Sequence, residues 1–172
     1  GVEWIEDIPV GWEVRKVKTI CRFQYGKSLS DNQRIEDLVP VFGSNGIVGY
    51  HNIAITENPC LIIGRKGSFG KVNYSLEKCF PIDTTFFVDT NSTKNDLRWL
   101  FYFLTDLKLD EDNQDSAVPG LNREKAYMKL GFLPPLSEQK AIASFLDLET
   151  SKIDMMLGKI EKQIELLNEY KQ

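Results

Sequence analysis

Residues 134–172 read PPLSEQKAIASFLDLETSKIDMMLGKIEKQIELLNEYKQ, and this stretch predicts one long helix. The two prolines at its start disfavour helix before it. Ser137 is expected as the N-cap, with Glu138 and Gln139 in the first turn. No proline follows, and the only later glycine is Gly158. About 35 residues at a rise of about 1.5 Å per residue predict a rod of roughly 50 Å.

A heptad pattern of apolar residues runs along this helix. From Ile153 to Leu167 the apolar residues are separated by four, three, four and three positions, the spacing of a coiled-coil seam. The residues predicted to form the pairing face are Leu146, Ile153, Leu157, Ile160, Ile164 and Leu167, and the seam extended backward also takes in Ala143. The rod is longer than the rest of the chain can cover, so we expect a partner helix against this seam.

The rest of the sequence predicts a compact domain mounted on the helix. Short β-rich runs broken by glycines include 60–63 and 71–74, which flank the loop GRKGSFG, and a further strand is expected at 84–88. An amphipathic helix, NDLRWLFYFLTDL, is expected after a cap near Ser92 or Thr93. The fold class is therefore α+β: a β-rich globular domain over residues 1–134, followed by one long C-terminal coiled-coil helix over residues 135–172. Near the start of the domain, the residues expected to be buried are Val14, Val17, Ile20 and Phe23.

Composition and charge limit the function classes. The net charge of −4 argues against a non-specific nucleic-acid binder, which would be basic throughout. A local basic face is still possible, because residues 61–80 hold four Lys or Arg residues against Glu77 alone. Three scattered cysteines, Cys21, Cys60 and Cys79, predict reduced core thiols in a cytosolic protein. Neither a membrane span nor a signal peptide is visible in the sequence.

Four short clusters are candidates for nucleic-acid contacts. In the loop 64–70, two cations lie between glycines beside a serine, and arginine can donate two hydrogen bonds to guanine or to a phosphate. The other three clusters are 25–28, 43–46 and 121–123. Each could also be an ordinary solvated turn. The candidate DNA-binding residues are Tyr25, Lys27, Ser44, Asn45, Arg65, Lys66, Gly67, Ser68, Lys71, Asn122 and Arg123.

Catalytic and metal-binding patterns are weak in this sequence. His51 is the single histidine, and it is expected to be a surface or hydrogen-bonded residue rather than a ligand. The nearest approach to a nuclease pattern, Asp83 with Asp106 and Lys108, falls partly at the end of the expected helix rather than on a strand. We therefore expect no catalytic residue, no metal site and no cofactor in this chain.

Taken together, the motifs resemble the DNA-specificity subunits of type I restriction–modification systems. Pro9, Gly11, Trp12 and Glu13 are similar to the opening of that family. The runs VFGSNGIVGYHN, LIIGRKGSFGKVNY and AVPGLNRE (residues 117–124) resemble its target-recognition domain. PPLSEQKAIASFLD, leading into a Lys-Ile-Asp helix, resembles its conserved spacer helix. The resemblance covers nearly the full length of the chain.

The resemblance implies a non-catalytic, cytoplasmic prokaryotic protein that reads one half of a split site in double-stranded DNA. The helix would pair antiparallel with a second copy or a second half, and it would dock methyltransferase (modification) subunits. A restriction subunit would join through the complex. S-adenosylmethionine, ATP and Mg²⁺ would be used by the partner subunits. Family members commonly carry two recognition domains and two spacer helices, so one of each predicts a half-subunit or fragment that forms a two-fold dimer on a palindromic bipartite site.

Two alternatives remain open at the level of sequence. One is an enzyme, either a nuclease or the recognition part of a fused restriction–methylation protein. The other is a coiled-coil scaffold protein without DNA specificity.

Overall fold

The structure, a computed structural model, describes residues 8–35, 38–111 and 120–169. The strands in these residues are β1 Glu13–Lys16, β2 Gln24–Tyr25, β3 Val39–Gly43, β4 Gly46–His51, β5 Cys60–Gly64, β6 Val72–Ser75, β7 Phe80–Pro81, β8 Thr85–Asp89 and β9 Leu130–Leu133. The α-helices are α1 Val17–Ile20, α2 Leu97–Asp106, α3 Arg123–Met128 and α4 Leu136–Glu169. A short 3₁₀ helix spans Asp31–Gln33. This is the α+β fold, with a β-rich domain and a long C-terminal helix, that the sequence predicts.

The described strands form three small sheets in the β-rich domain. The largest has the strand order β2-β8-β5-β6, and all its pairs are antiparallel. Its two central strands, CLIIG and TFFVD, are buried along their whole lengths, which explains why they are continuous apolar runs rather than alternating ones. A second sheet has the order β4-β3-β7, and the third pairs β1 with β9. The loop 64–70 therefore joins two antiparallel neighbours, as the sequence predicts.

Helix α2 packs on the largest sheet and completes the main core. Leu97, Leu100 and Leu104 on its inner face are buried with Val17 and other apolar residues of the domain. Three of the four residues expected to be buried near the start are so, namely Val17, Ile20 and Phe23. The prediction for Val14 was wrong: β1 lies in a two-stranded sheet, and the Val14 side chain is 46% exposed.

The start of α2 differs from the sequence-based expectation. The N-cap is Asp96, whose side chain accepts a hydrogen bond from the Trp99 N–H at 2.8 Å, not Ser92 or Thr93. Those two hydroxyls are used in the preceding turn instead. Ser92 donates to the Asp89 carboxylate at 2.7 Å, and Thr93 donates to the carbonyl oxygen of Ile20 at 2.8 Å. Ser92, Thr93 and Asp96 all have side-chain oxygens that can cap a helix. The sequence pattern does not show which of them forms the cap.

The long helix α4 begins at Leu136, so Ser137 lies inside the helix and not at its N-cap. Pro135 supplies the first carbonyl, which accepts hydrogen bonds from the N–H groups of Glu138 and Gln139. The Glu138 side chain accepts a 2.7 Å hydrogen bond from the indole N–H of Trp12. The two ends of the domain therefore meet where the helix starts.

The first turns of α4 are packed on the globular domain through Gln139. This side chain is 2% exposed and makes three hydrogen bonds. Its carbonyl oxygen accepts from the Asp96 N–H at 2.9 Å, and its amide donates to Asn95 Oδ1 at 3.0 Å and to the Pro134 carbonyl at 2.9 Å. One buried amide thus ties the start of α4 to the N-terminus of α2.

Farther along, α4 and α2 are joined by Arg98 and Asp147. The Arg98 Nε lies 2.6 Å from Asp147 Oδ1, which also accepts a 2.6 Å hydrogen bond from the Tyr102 hydroxyl. Ala143 is buried, and Leu146 lines an apolar cavity of about 520 Å³ beneath α2. Leu146, predicted to face a partner helix, therefore faces the chain's own domain.

Beyond Thr150 every described residue of the helix, from 151 to 169, is exposed. Five of the predicted seam residues lie here and are between 51% and 62% exposed, namely Ile153, Leu157, Ile160, Ile164 and Leu167. No helix in the described part of the chain is long and apolar enough to cross a membrane.

The three cysteines are free and buried, as the sequence predicts. Burial raises the pKa of the Cys21 thiol to about 12, so it stays protonated at neutral pH. Although far apart in sequence, Cys60 and Cys79 lie with their Sγ atoms 3.4 Å apart in a small second core. His51 is buried rather than on the surface. Its ring meets Phe80 edge-on at 5.7 Å, and its Nδ1 has no hydrogen-bond partner among the described residues.

Candidate nucleic-acid interface

Gly64 closes the base of the loop between β5 and β6. Its N–H donates to the Lys71 carbonyl at 2.8 Å, and its own carbonyl accepts from the Gly70 N–H at 2.9 Å. A Cβ at Gly64 would lie 2.1 Å from the carbonyl oxygen of Ser68, so the close backbone approach requires glycine. Gly67 at the tip has a φ of 71°, and an added Cβ would meet nothing within 4 Å. The loop is therefore narrow at its base and open at its tip.

The carbonyl oxygen of Thr84 holds two of the predicted clusters together. It accepts hydrogen bonds from the backbone N–H groups of Arg65 at 2.8 Å and Lys66 at 3.1 Å. It also accepts from the Ser44 hydroxyl at 2.8 Å. On its other side, the Arg65 carbonyl accepts from the Leu121 N–H at 2.8 Å. The backbone of Arg65 is thus fixed from two sides, by Thr84 and by Leu121. No motif in the sequence had marked Thr84 as a site residue.

Three predicted residues from distant parts of the sequence meet at one aromatic ring. The guanidinium carbon of Arg65 lies 5.4 Å from the centre of the Tyr25 ring, and that of Arg123 lies 4.9 Å from it. The Tyr25 ring meets Phe86 edge-on at 4.9 Å, yet the residue is 50% exposed. We call Tyr25, Arg65 and Arg123 the Tyr25 cluster. It presents two cations and a phenol hydroxyl at the surface.

The aromatic residues beneath the Tyr25 cluster explain its position. Phe23 and Phe86 are both buried, and their rings lie 5.9 Å apart. Tyr127 from α3 packs on Phe23 at 5.3 Å, and its hydroxyl accepts a 2.8 Å hydrogen bond from the Phe23 N–H. Burial raises the pKa of Tyr127, so this hydroxyl stays neutral. The cluster thus rests on packed rings, which limits the freedom of the arginine side chains.

Arg65 has unused hydrogen-bonding capacity. Its Nε is buried and has no hydrogen-bond partner among the described residues. Stacking on Tyr25 and Phe86 holds the planar guanidinium without using its donors. A group of this kind can donate two parallel hydrogen bonds to a planar acceptor such as a guanine edge or a phosphate.

A second pair of predicted residues, Asn45 and Lys71, is joined directly. The Lys71 ammonium donates to Asn45 Oδ1 at 2.8 Å and to the Asn45 carbonyl at 3.3 Å. This contact links the C-terminal end of the loop 64–70 to the turn between β3 and β4. Ser44 in the same turn is only 8% exposed, and its hydroxyl is engaged with Thr84. The structure therefore places Ser44 beneath the surface, as a support for the turn.

Asn122 and Arg123 have different surroundings. Asn122 is the N-cap of α3, and its side-chain oxygen accepts from the N–H groups of Glu124 at 2.9 Å and Lys125 at 3.1 Å. Arg123 is half-buried, contacts Glu124 at 3.4 Å and stacks on Tyr25. The cap orients α3, and α3 in turn carries Arg123 to the cluster. Residues 117–119 of the quoted AVPGLNRE run lie outside the described residues.

The remaining predicted residues are exposed around the cluster. Lys27, Lys66, Gly67 and Ser68 are on the surface, and no described residue forms a side-chain hydrogen bond or ion pair with Lys27, Lys66 or Ser68. The segments that build this face contribute Lys27, Arg65, Lys66, Lys71 and Arg123, against the acids Asp83 and Glu124. The face is thus locally basic on an acidic chain. Within the described residues, no group of three or more His, Cys, Asp or Glu side chains is placed to hold a metal ion.

Comparison with known proteins decides the family. The sequence model of the type I restriction modification DNA specificity domain matches residues 9–166. The chain belongs to this DNA specificity family. A curated relative in this family, the type I restriction enzyme EcoprrI specificity subunit of Escherichia coli, is 30% identical over 134 residues. Those residues are 74% of this chain and 33% of the relative.

A second curated relative agrees with this family assignment, and a solved structure shows the same fold. The type I restriction enzyme MjaVIII specificity subunit of Methanocaldococcus jannaschii is 27% identical over 95% of this chain and 41% of its own length. The crystal structure of a type I restriction–modification S subunit from M. genitalium superposes with a TM-score of 0.70 at 16% identity, which shows the same fold. That match covers 98% of this chain and 46% of the other. This specificity-family chain thus spans about a third to two fifths of the length of its curated relatives.

Proposed function

We propose that the chain is a non-catalytic specificity component that reads one half of a bipartite site in double-stranded DNA. The observation that carries the proposal is the Tyr25 cluster, where two arginines from distant segments converge on an exposed ring beside an open glycine loop. Membership of the DNA specificity family supports the same conclusion. The local excess of bases explains how an acidic chain can approach DNA.

Arg65 is the residue we propose to contact a base edge. Its backbone is fixed at Thr84 and Leu121, and its guanidinium is stacked on Tyr25, so little side-chain freedom is lost on binding. A guanidinium held in this way can donate to the O6 and N7 atoms of guanine in the major groove. Lys27 and Lys66 are exposed, flexible point charges, which suits contacts to phosphates.

Helix α4 is proposed to set the distance between two such recognition domains. In this proposal its exposed half pairs antiparallel with a second helix, contributed by a second copy or by a second half of the same kind. The helix also docks methyltransferase (modification) subunits, and a restriction subunit joins through the complex. S-adenosylmethionine, ATP and Mg²⁺ are then used by those subunits.

The double substitution Arg65→Ala and Lys66→Ala tests the recognition face. The target duplex is first obtained by mapping methylated adenines in the source genome. Binding of the wild-type chain and the variant is then measured by fluorescence anisotropy over a range of salt concentrations. We expect a loss of about 1–3 kcal/mol, with a smaller salt dependence because one phosphate contact is lost.

Lys78→Ala is the matched control for that experiment. Lys78 lies at the opposite end of the β5–β6 hairpin and forms an ion pair with Glu57, so its loss changes the net charge but not the proposed face. The control removes one positive charge and the double variant removes two, so a loss for the control of about half that of the double variant would show that the effect is one of overall charge. Unchanged binding by the double variant would remove Arg65 and Lys66 from the interface.

The two alternative functions give different results with the pure chain. An enzyme would cleave plasmid DNA in the presence of Mg²⁺, whereas we expect the plasmid to remain intact. A coiled-coil scaffold would bind no duplex at any sequence, even at low salt. We expect duplex binding that the Arg65 and Lys66 substitutions weaken.

A further inference from the structure

One flank of the α4 seam carries an acid every seven residues. Asp147, Asp154 and Glu161 each directly follow an apolar residue of the seam. On a helix with about 3.6 residues per turn, this spacing places all three along the same edge of the seam. We call these three residues the acidic flank. The opposite edge carries Glu149, Met156 and Gln163 at the same spacing and is mainly uncharged.

Asp147 already has a basic partner within the chain. It belongs to the half of α4 that packs on the domain, where Arg98 of α2 lies 2.6 Å from its carboxylate. The Arg98 guanidinium is itself held over the rings of Tyr74 and Tyr102, at 4.8 and 5.2 Å. Helix α2 therefore covers the apolar residues in the first half of the α4 seam. Its Arg98 also supplies a base to Asp147 of the acidic flank.

Asp154 and Glu161 lack any such base. No lysine or arginine stands three or four positions away from either residue, where a neighbour on the same helix could reach it. No residue in the described part of the chain forms an ion pair with either one. Glu149 on the other edge, by contrast, is paired with Lys152 at 2.7 Å. A basic partner for Asp154 or Glu161 would have to come from another helix.

A second copy of this chain cannot supply that base. The two-fold axis of an antiparallel pair stands at right angles to the plane of the two helices, so each flank meets the same flank of the copy. When Ile153 lies opposite Ile164 and Leu157 opposite Ile160, Asp154 faces Glu161 of the copy, and this occurs twice. A shift by one heptad in either direction brings Asp154 against its own copy or Glu161 against its own copy. The central register and both registers one heptad away thus set acid against acid.

We propose that the free half of α4 pairs with an antiparallel helix of different sequence, which carries lysine or arginine opposite Asp154 and Glu161, in preference to a second copy of this chain. The inference rests on the pairing role of α4 in the proposed function and identifies the chemistry of the partner. The apolar seam residues stabilise helix pairing. Charges beside the seam determine which helix pairs, because like charges that face each other destabilise the wrong pair. In this proposal, bases of the partner helix contact Asp154 and Glu161 in the way that Arg98 contacts Asp147.

Charge reversal on the full-length chain tests this selection. Self-association is measured by analytical ultracentrifugation, without DNA, for the wild type, Asp154→Lys, Glu161→Lys and the double variant. Each single reversal places a lysine opposite an acid of the copy twice, so we expect self-association on the order of tenfold tighter than for the wild type at low ionic strength. The double variant sets lysine against lysine and should return to weak self-association. Its mixture with the wild type should form mixed dimers more tightly than either chain pairs with itself.

Glu169→Lys is the matched control, because it makes the same charge change on the face away from the seam. It should leave self-association at the wild-type level. The inference is overturned if the wild type pairs with itself as tightly as it does in the mixture, if single reversals weaken pairing, or if no combination associates. None of these outcomes bears on the recognition face, since the Arg65 and Lys66 experiment measures DNA binding. A failure of either proposal can therefore be told from a failure of the other.

Discussion

The two halves of α4 share one apolar seam but differ in what covers it. Over 136–150 the seam lies against the chain's own domain, with Gln139 and Ala143 buried and Leu146 half-buried. Over 151–169 the same seam is exposed, and all of its residues are more than half accessible. Heptad spacing therefore identifies a face that something must cover, but it does not say whether that cover is the same domain or another molecule.

The largest expected difference in stability between the two halves of α4 comes from replacing one glutamine in each half. Gln139→Leu removes three hydrogen bonds at a buried site and leaves the Asp96 N–H and the Pro134 carbonyl without their partner. We expect the free energy of unfolding to fall by about 3 kcal/mol. Urea denaturation of the full chain, followed by circular dichroism, measures the change.

Gln163→Leu is the control for this substitution, since Gln163 is exposed on the free half of the same helix. Its effect on the free energy of unfolding should stay below about 0.5 kcal/mol. Similar losses for the two glutamines would mean that the start of α4 is not held to α2 by Gln139.

A smaller contrast is expected from two alanines two positions apart. Ala143 is buried beneath α2, whereas Ala141 is exposed. Ala143→Leu adds three carbon atoms to a packed contact and should cost about 2 kcal/mol, while Ala141→Leu should be close to neutral. Thermal unfolding of both variants checks the difference. If the larger side chain were tolerated at Ala143, the helix contact would be looser than described.

The smallest effect on stability is expected in the free half. Replacing Ile160 and Ile164 with Asp removes two exposed seam residues, so the free energy of unfolding should change by less than about 0.5 kcal/mol. The same change should abolish pairing of α4, including pairing with the Asp154→Lys, Glu161→Lys double variant. Because the proposed function needs paired helices, binding to a bipartite site should be lost as well. Ultracentrifugation of that mixture gives the answer. Persistent pairing would show that the association surface lies elsewhere.

Most of the fold was predictable because its signals are local. The continuous apolar runs of β5 and β8, the amphipathic α2 and the proline-bounded α4 each occupy one segment of sequence. Helix starts were less predictable, as the caps at Asp96 and Pro135 show, because neighbouring residues offer equivalent acceptors. Val14 was misjudged because its two-stranded sheet has an open face.

The sequence motifs marked candidate residues one at a time but did not predict how they are arranged. Tyr25, Arg65 and Arg123 were each marked by a separate weak motif, and only the sheet topology brings them to one ring. Ser44 and Asn122 were also predicted to contact DNA. In the structure, the buried Ser44 hydroxyl donates to the Thr84 carbonyl, and the Asn122 side chain caps α3. A side chain that could contact a ligand can equally stabilise a turn, and spacing in the sequence does not distinguish these roles. Thr84 acts through its backbone, so no side-chain pattern could have revealed it.

The pairing of β1 with β9 has a consequence for how such a domain can be exchanged. Glu13 lies opposite Leu133, so the chain arrives at the globular domain and leaves it at one place, beside the contact of Trp12 with Glu138. Everything between the two strands is in effect a single inserted cassette. A different segment placed between β1 and β9 would leave the length of α4 unchanged, provided that the new segment brings a helix to contact Gln139 and Asp147. Under the proposed function, such an exchange would change the recognition face and leave α4 as it is.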